Sequence, residues 1–175
     1  MYETALNKIP FDDEGVLSTS KAIINKGVFS TALYNLKSAY KAGRASTGNG
    51  FRGGSFVSEA PTNLIVEPGD KSFEKLCEEA GEGIILTDLS GLHAGVNQIS
   101  GDFSLLCEGF LIEGGKQGRP VEQITVAGNF YEVIRKIEAV GNDVLNVPSG
   151  DGEFFTPSVL ISSLAISGDD ESDLK

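Results

Sequence analysis

This 175-residue chain has a single histidine, His93, and Asp102, Ser104 and Cys107 follow it closely. A serine or cysteine beside an imidazole, with a carboxylate behind it, is the arrangement of nucleophilic catalysis. The spacing speaks against it. Phe103, Leu105 and Cys107 share one strand parity, which puts the thiol with the apolar side chains. A lone histidine without a partner cluster reads as a loop hydrogen-bonding residue. Zinc takes three or four ligands from Cys, His and carboxylate at suitable spacing, and one histidine with two apolar-face cysteines, Cys77 and Cys107, does not supply them. No catalytic residue, metal ligand or cofactor is therefore assigned to this chain.

Two further stretches carry polar chemistry. Phe11-Asp12-Asp13-Glu14-Gly15 sets three acids before a glycine. Hard cations take such carboxylates, but the spacing of a calcium loop is absent, so the stretch reads as a solvated strand end and turn. Ser46–Gly54 contains a formal G-x-G-x-x-G at Gly48, Gly50 and Gly53. A dinucleotide fingerprint needs a strand before it and a helix after it, whereas here a predicted helix precedes and SFVSEAP follows. The stretch reads instead as a flexible loop with exposed backbone donors, able to approach a peptide backbone closely. Ser46, Thr47, Gly48, Asn49 and Gly50 are thus candidate peptide- or partner-contacting residues. Asn97, Ser100, Gly101 and Asp102 join them from a second polar, glycine-punctuated loop.

The elements that must position these residues follow from periodicity and turn chemistry. Phe103–Ile112 is a strand, Glu113-Gly114-Gly115-Lys116 a tight turn, and Arg119–Ala127 the return strand. Asn129 with Glu132 resembles a capping box, and Phe130, Val133, Ile134 and Ile137 form a helical stripe, predicting a helix over Asn129–Ala139. Earlier, Asn25-Lys26-Gly27 turns a short hairpin, and a helix is expected over Thr31–Ala42, closed by Gly43. Asn63–Pro68 reads as a strand. Ser72 caps a helix with Phe73, Leu76, Cys77 and Ala80 on one face, stopped by Gly81. Gly83–Leu89 is another strand, Val144–Val147 a short apolar run, Pro148–Glu153 a loop and Pro157–Ile166 a final strand. Residues 1–168 are read as one domain and 169–175 as an acidic, disordered tail.

The pattern predicts an α+β fold, with many short, mostly antiparallel strands in a twisted or barrel-like sheet and about three short helices. Net charge is −11 with no cluster of Lys and Arg, which argues against direct binding to nucleic acid. No apolar run approaches the roughly 18–20 residues of a membrane span, and the N-terminus lacks the pattern of a secretory signal. Two cysteines without a CxxC fit a reducing cytoplasm.

The segments FDDEGV (Phe11–Val16), STGNG (Ser46–Gly50), NLIVEPGDKSFE (Asn63–Glu74), VNQISGDFS (Val96–Ser104), GFLIEGGK (Gly109–Lys116), PVEQITVAGN (Pro120–Asn129) and AVGND (Ala139–Asp143) occur in that order. Together they resemble the C-terminal half of the TldD/PmbA family, intracellular zinc metallopeptidases also described as modulators of DNA gyrase. The resemblance runs from about Phe11 to Gly168. It implies a zinc site built on an H-E-x-x-x-H helix preceding the DDEG element, with a cysteine in the late loop. This chain holds no H-E-x-x-x-H, and Pro148–Phe155 contains no cysteine. NLIVEPGDKSFE and PSVLI are similar to the PmbA side of the family, also called TldE, whose subunit lacks the metal.

The resemblance therefore implies a non-catalytic PmbA/TldE-like portion, which pairs with a zinc-bearing TldD-like subunit in an assembly that cleaves unfolded or extended peptides. A regulatory protein without a proteolytic role, and an independent hydrolase using Ser104, His93 or Cys107, are the other readings. Uncovered strand edges add an expectation of self-association as a symmetric dimer.

Overall fold

A computed structural model describes residues 8–149 and 152–168, so the expected acidic tail lies outside the described residues. Among the described residues the chain forms four helices and thirteen strands, an α+β arrangement without a closed barrel. It divides into two compact units, one of residues up to Glu67 plus Val144–Thr156, the other of Pro68–Asp143 plus the residues from Pro157 onward.

In the first unit β1 (Ile24–Asn25) and β2 (Val28–Phe29) form the expected hairpin. Its turn places Lys26 at φ 49° and Gly27 at φ 77°, the double left-handed pair that matches strand twist. Helix α1 (Leu36–Ala42) is shorter than Thr31–Ala42 because Asn35 caps it. The Asn35 side chain accepts from the Ser38 N–H and the Ser38 hydroxyl accepts from the Asn35 N–H, a reciprocal box that fixes the start. Gly43, at φ 63°, closes it as expected.

The stretch read as a flexible loop is in part a hairpin, β3 (Gly50–Gly53) with β4 (Phe56–Glu59). Further on, β5 (Asn63–Ile65), β10 (Leu145–Ser149) and β11 (Gly152–Thr156) make a three-stranded sheet in the order β10-β11-β5. β11 runs parallel to β5 and buries Phe155. The expected loop over Pro148–Glu153 thus gives way at both ends to strand.

The second unit holds α2 (Phe73–Ala80), capped by Ser72 and stopped by Gly81 as expected. It also holds β6 (Gly83–Ser90), α3 (Leu92–Gly95), β7 (Asp102–Glu113), β8 (Lys116–Asn129), α4 (Phe130–Val133), β9 (Ile137–Val140), β12 (Val159–Ile161) and β13 (Ala165–Ser167). A four-stranded antiparallel sheet has the order β13-β8-β7-β6. The β7–β8 turn is Gly114-Gly115, at φ 56° and 77°. Leu105, Cys107 and Val126 form the core, with Leu86, Val96, Phe103, Ile124 and Leu164 packed on it, so the thiol lies on the apolar side as its parity requires. At Gly109 an added Cβ would collide with the Ile85 carbonyl oxygen. β6 can approach β7 there only because the side chain is missing.

Two expectations fail in this unit. The helix over Asn129–Ala139 ends at Val133, and Ile137–Val140 pairs with β12 instead. Pairing in the sheet overrides the helical spacing, and β-branched Ile137 and Val140 suit it. The final strand over Pro157–Ile166 is two strands: β12 serves β9 and β13 serves β8, with a break in which the Ser162 N–H donates to the Lys136 carbonyl.

Leu105→Ala removes a buried core side chain and is expected to cost about 2–5 kcal/mol in urea denaturation. Ile134→Ala, at a half-buried position beyond α4, should cost less. Arg135→Ala should lie within about 0.5 kcal/mol of the parent. Equal losses at Ile134 and Leu105 would restore the longer helix.

Candidate functional site

The acidic stretch Asp12-Asp13-Glu14 is not a solvated strand end. Asp12 is buried, and its Oδ1 accepts from the N–H groups of Glu14 (3.1 Å) and Val16 (2.8 Å) while Oδ2 accepts from Gly50 N–H (2.9 Å). Asp13 Oδ2 accepts from Arg52 N–H (2.7 Å). Glu14 Oε2 accepts from Leu36 N–H (2.7 Å) at the start of α1, where a helix favours negative charge. All three acids therefore satisfy backbone donors that would otherwise lack partners.

The first candidate loop is drawn into the same network. The Ser46 and Thr47 hydroxyls both donate to the Tyr34 carbonyl (3.1 Å each), and Thr47 Oγ1 accepts from Tyr34 N–H (2.7 Å). Asn49 is buried and donates to the Ala60 carbonyl (2.9 Å). Lys21 Nζ donates to the Thr47 carbonyl (2.5 Å) and to Asn49 Oδ1 (2.7 Å), and burial pushes its pKa down against the opposing pull of Asp12. Gly48, at φ 66°, is required sterically, because a Cβ would collide with the Leu17 carbonyl oxygen; at Gly50 a Cβ would displace the Glu14 carboxylate from its place. Ser46, Thr47, Gly48, Asn49 and Gly50 are brought together, but as a joint whose polar groups turn to the chain itself. Lys21, which ties the Thr47 carbonyl to Asn49, is not singled out by the sequence, because nothing in its spacing marks it; Glu14 is, but as part of a solvated turn rather than as the acceptor for Leu36 N–H.

The second candidate loop lies in the other unit. Asn97 Oδ1 accepts from Ile99 N–H (3.0 Å) and Ser100 N–H (3.1 Å), an Asx turn. The Ser100 hydroxyl donates to Asp102 Oδ2 (2.7 Å), and Asn129 Nδ2 donates to both the Ser100 carbonyl (2.9 Å) and Asp102 Oδ1 (2.8 Å). These hydrogen bonds, Ser100 first and Asn129 second, hold the Asp102 pKa below its ordinary value of 3.8. Gly101, at φ 81°, faces the Tyr131 ring so closely that a Cβ would lie 2.7 Å from it. Asn97, Ser100, Gly101 and Asp102 are thus one rigid turn, and it carries Ile99 at its tip, 92% exposed.

No nucleophile system forms among the described residues. His93 and Ser104 line the same open depression beside this turn, yet no hydrogen bond joins them. Cys107 lies on the opposite parity of β7 from Ser104, buried, with its thiol pKa pushed up by desolvation. Cys77 is likewise buried on α2 and raised, chiefly by desolvation.

Residues 1–168 match the family model described as the PmbA/TldA metallopeptidase C-terminal domain. The chain belongs to this family. The PmbA metalloprotease of Escherichia coli O157:H7 is 36% identical over 166 residues, covering 93% of this chain and 33% of the relative. A Thermotoga maritima MSB8 protein, proposed as a modulator of a DNA gyrase, superposes with a TM-score of 0.85 at 45% identity, over 95% of this chain and 37% of that one. TldE from Thermococcus kodakarensis gives a TM-score of 0.83 at 27% identity, over 91% and 36%. The chain therefore spans about a third of the length of these relatives. Within the family's C-terminal domain, the DDEG and STGNG segments that carry the resemblance are a structural joint, and VNQISGDFS is the rigid turn.

Asp12→Ala leaves three backbone donors without their acceptor and is expected to cost on the order of 3 kcal/mol; Asp12→Asn, which keeps one oxygen, should cost less. Denaturant melts compare the two. For Asp102 the folded pKa is depressed, so the stabilisation is present above 3.8 and is lost as pH falls through the lower folded value. A carboxyl NMR titration should show this depressed midpoint. Ser100→Ala should raise it more than Asn129→Ala.

Proposed function

We propose that this chain is the C-terminal portion of a PmbA/TldE-like subunit. It acts in a TldD/TldE-type metallopeptidase complex that cleaves unfolded or extended peptides, with the zinc held by a TldD-like partner. The family match, together with the likeness to PmbA metalloproteases and to a TldE, supports the assignment. The observation that carries the non-catalytic half of the reading is the placement of the soft metal donors. Both thiols are packed into apolar surroundings, which disfavour the thiolate a metal needs. The imidazole of His93 stands exposed on the short helix α3.

The contribution of this chain is then structural and adhesive. The turn Asn97–Asp102 presents Ile99 on a hydrogen-bonded backbone, and a backbone ordered before contact loses little entropy when a partner covers it. A regulatory role without proteolysis is the second reading, favoured by the Thermotoga relative's description. With a net charge of −11 such a role would run through protein contacts rather than through DNA.

Sedimentation of the chain with a TldD-like subunit tests the proposal. The two should co-sediment, peptide cleavage should require the partner, and zinc should be found with the partner by elemental analysis. His93→Ala in this chain should leave cleavage unchanged, and Ile99→Asp should weaken capture. One tightly bound zinc per isolated chain, lost in His93→Ala, would overturn the assignment.

A further inference from the structure

The four-stranded sheet of the second unit has two outer edges, and they are built differently. On one side the outer strand is β13, only three residues long, and the part of β8 that β13 leaves uncovered carries Pro120 and a bulge at Gln123 (φ 56°). Each of these discourages a further strand. On the other side β6 is eight residues long: Gly83–Ser90 has no proline, lysine or arginine, and among the described residues no strand pairs with its outer side. It shares only the bulge, at Thr87, whose hydroxyl donates inward to the Glu108 carbonyl (3.3 Å).

A row of negative charge runs up to this same edge. Asp88 on β6 is directly opposite Glu108 on β7, and Glu108 faces the β8 bulge that contains Glu122. All three are exposed. Like charges directly opposite one another across a ladder are unfavourable. Asp88 accepts only a long hydrogen bond from the Ser90 hydroxyl (3.5 Å), and none of the three has an ion-pair partner among the described residues. A second copy of β6 would bring another Asp88 and Glu108 and no cation, so the edge does not suit self-pairing.

We infer that the outer edge of β6 is a strand-addition site for an extended peptide segment carrying a lysine or arginine opposite Asp88, the basic side chain completing the acidic row across β6 and β7. Main-chain hydrogen bonds to the open edge supply the binding, and the charge row supplies register and preference. The inference rests on the proposed function only in taking extended polypeptide as the occupant.

The test uses the full chain and capped peptides of roughly seven residues, a common strand length, alternating threonine and valine with one central lysine. Fluorescence anisotropy at low salt should show saturable binding. Replacing the lysine by glutamate should weaken it roughly five-fold or more. N-methylation of alternate backbone amides should abolish it, and Asp88→Lys should reverse the preference so that the glutamate peptide binds better. Amide exchange should slow along β6 when the lysine peptide is present. The inference is overturned by absence of saturable binding, by tolerance of N-methylation, by a lysine preference that survives Asp88→Lys, or by β6 amides already protected through a second copy. Loss of peptide binding with TldD-like capture intact rejects this edge alone, whereas loss of capture with peptide binding intact rejects the subunit assignment and keeps the edge.

Discussion

The second unit depends on the alternation of β7. Because successive side chains leave opposite faces of a strand, setting Leu105 and Cys107 inward decides where Ser104 and Leu106 must go, and β6 and β8 take their registers from that choice. A slip of one residue would bury Ser104 and Leu106 and expose the core pair, so the hydrophobic effect fixes the register along the whole ladder. Beyond Gly109 the buried position passes to the other parity, at Ile112. One strand thus serves two faces, and neighbours on either side adapt through bulges near Thr87, Gln123 and Gly118 while β7 itself stays regular.

The first unit is held by a different device. Its hairpins are short, and several of their apolar residues, Val28, Phe29 and Phe56 among them, are well exposed. In their place a buried carboxylate gathers three backbone donors at one point, and the acids after it pin β3 and α1. Ionised acceptors make the stronger kind of hydrogen bond. Charged residues that would read as solvated surface are therefore internal fasteners, and the glycines beside them are clearances for the chain to pass.

This contrast explains how much of the molecule is legible in the sequence. Where local chemistry and burial agree, residue type and spacing suffice: the Gly114-Gly115 turn, the Lys26-Gly27 hairpin, the Ser72 and Gly81 caps and the inward thiol all follow from them. Where a distant segment decides, they do not. The stripe from Phe130 to Ile137 satisfies a helix, but its second half finds β12 across the unit and pairs with it. The acidic stretch looks solvated because the donors it serves, Gly50, Arg52 and Leu36, are far along the chain. The two candidate loops separate on the same ground: each is ordered, but only Asn97–Asp102 leaves an apolar side chain standing free.

The proline and the bulge on β8 bear on how this sheet can grow. Polymerisation by strand addition needs two receptive ends, so that each newcomer offers a fresh template to the next. Here the far side of β8 is interrupted by Pro120 and the Gln123 bulge and is continued only by the three residues of β13, while a second β6 would meet the first with like charges. This sheet is a poor template for its own kind at either end, and it resists growing by copies of itself.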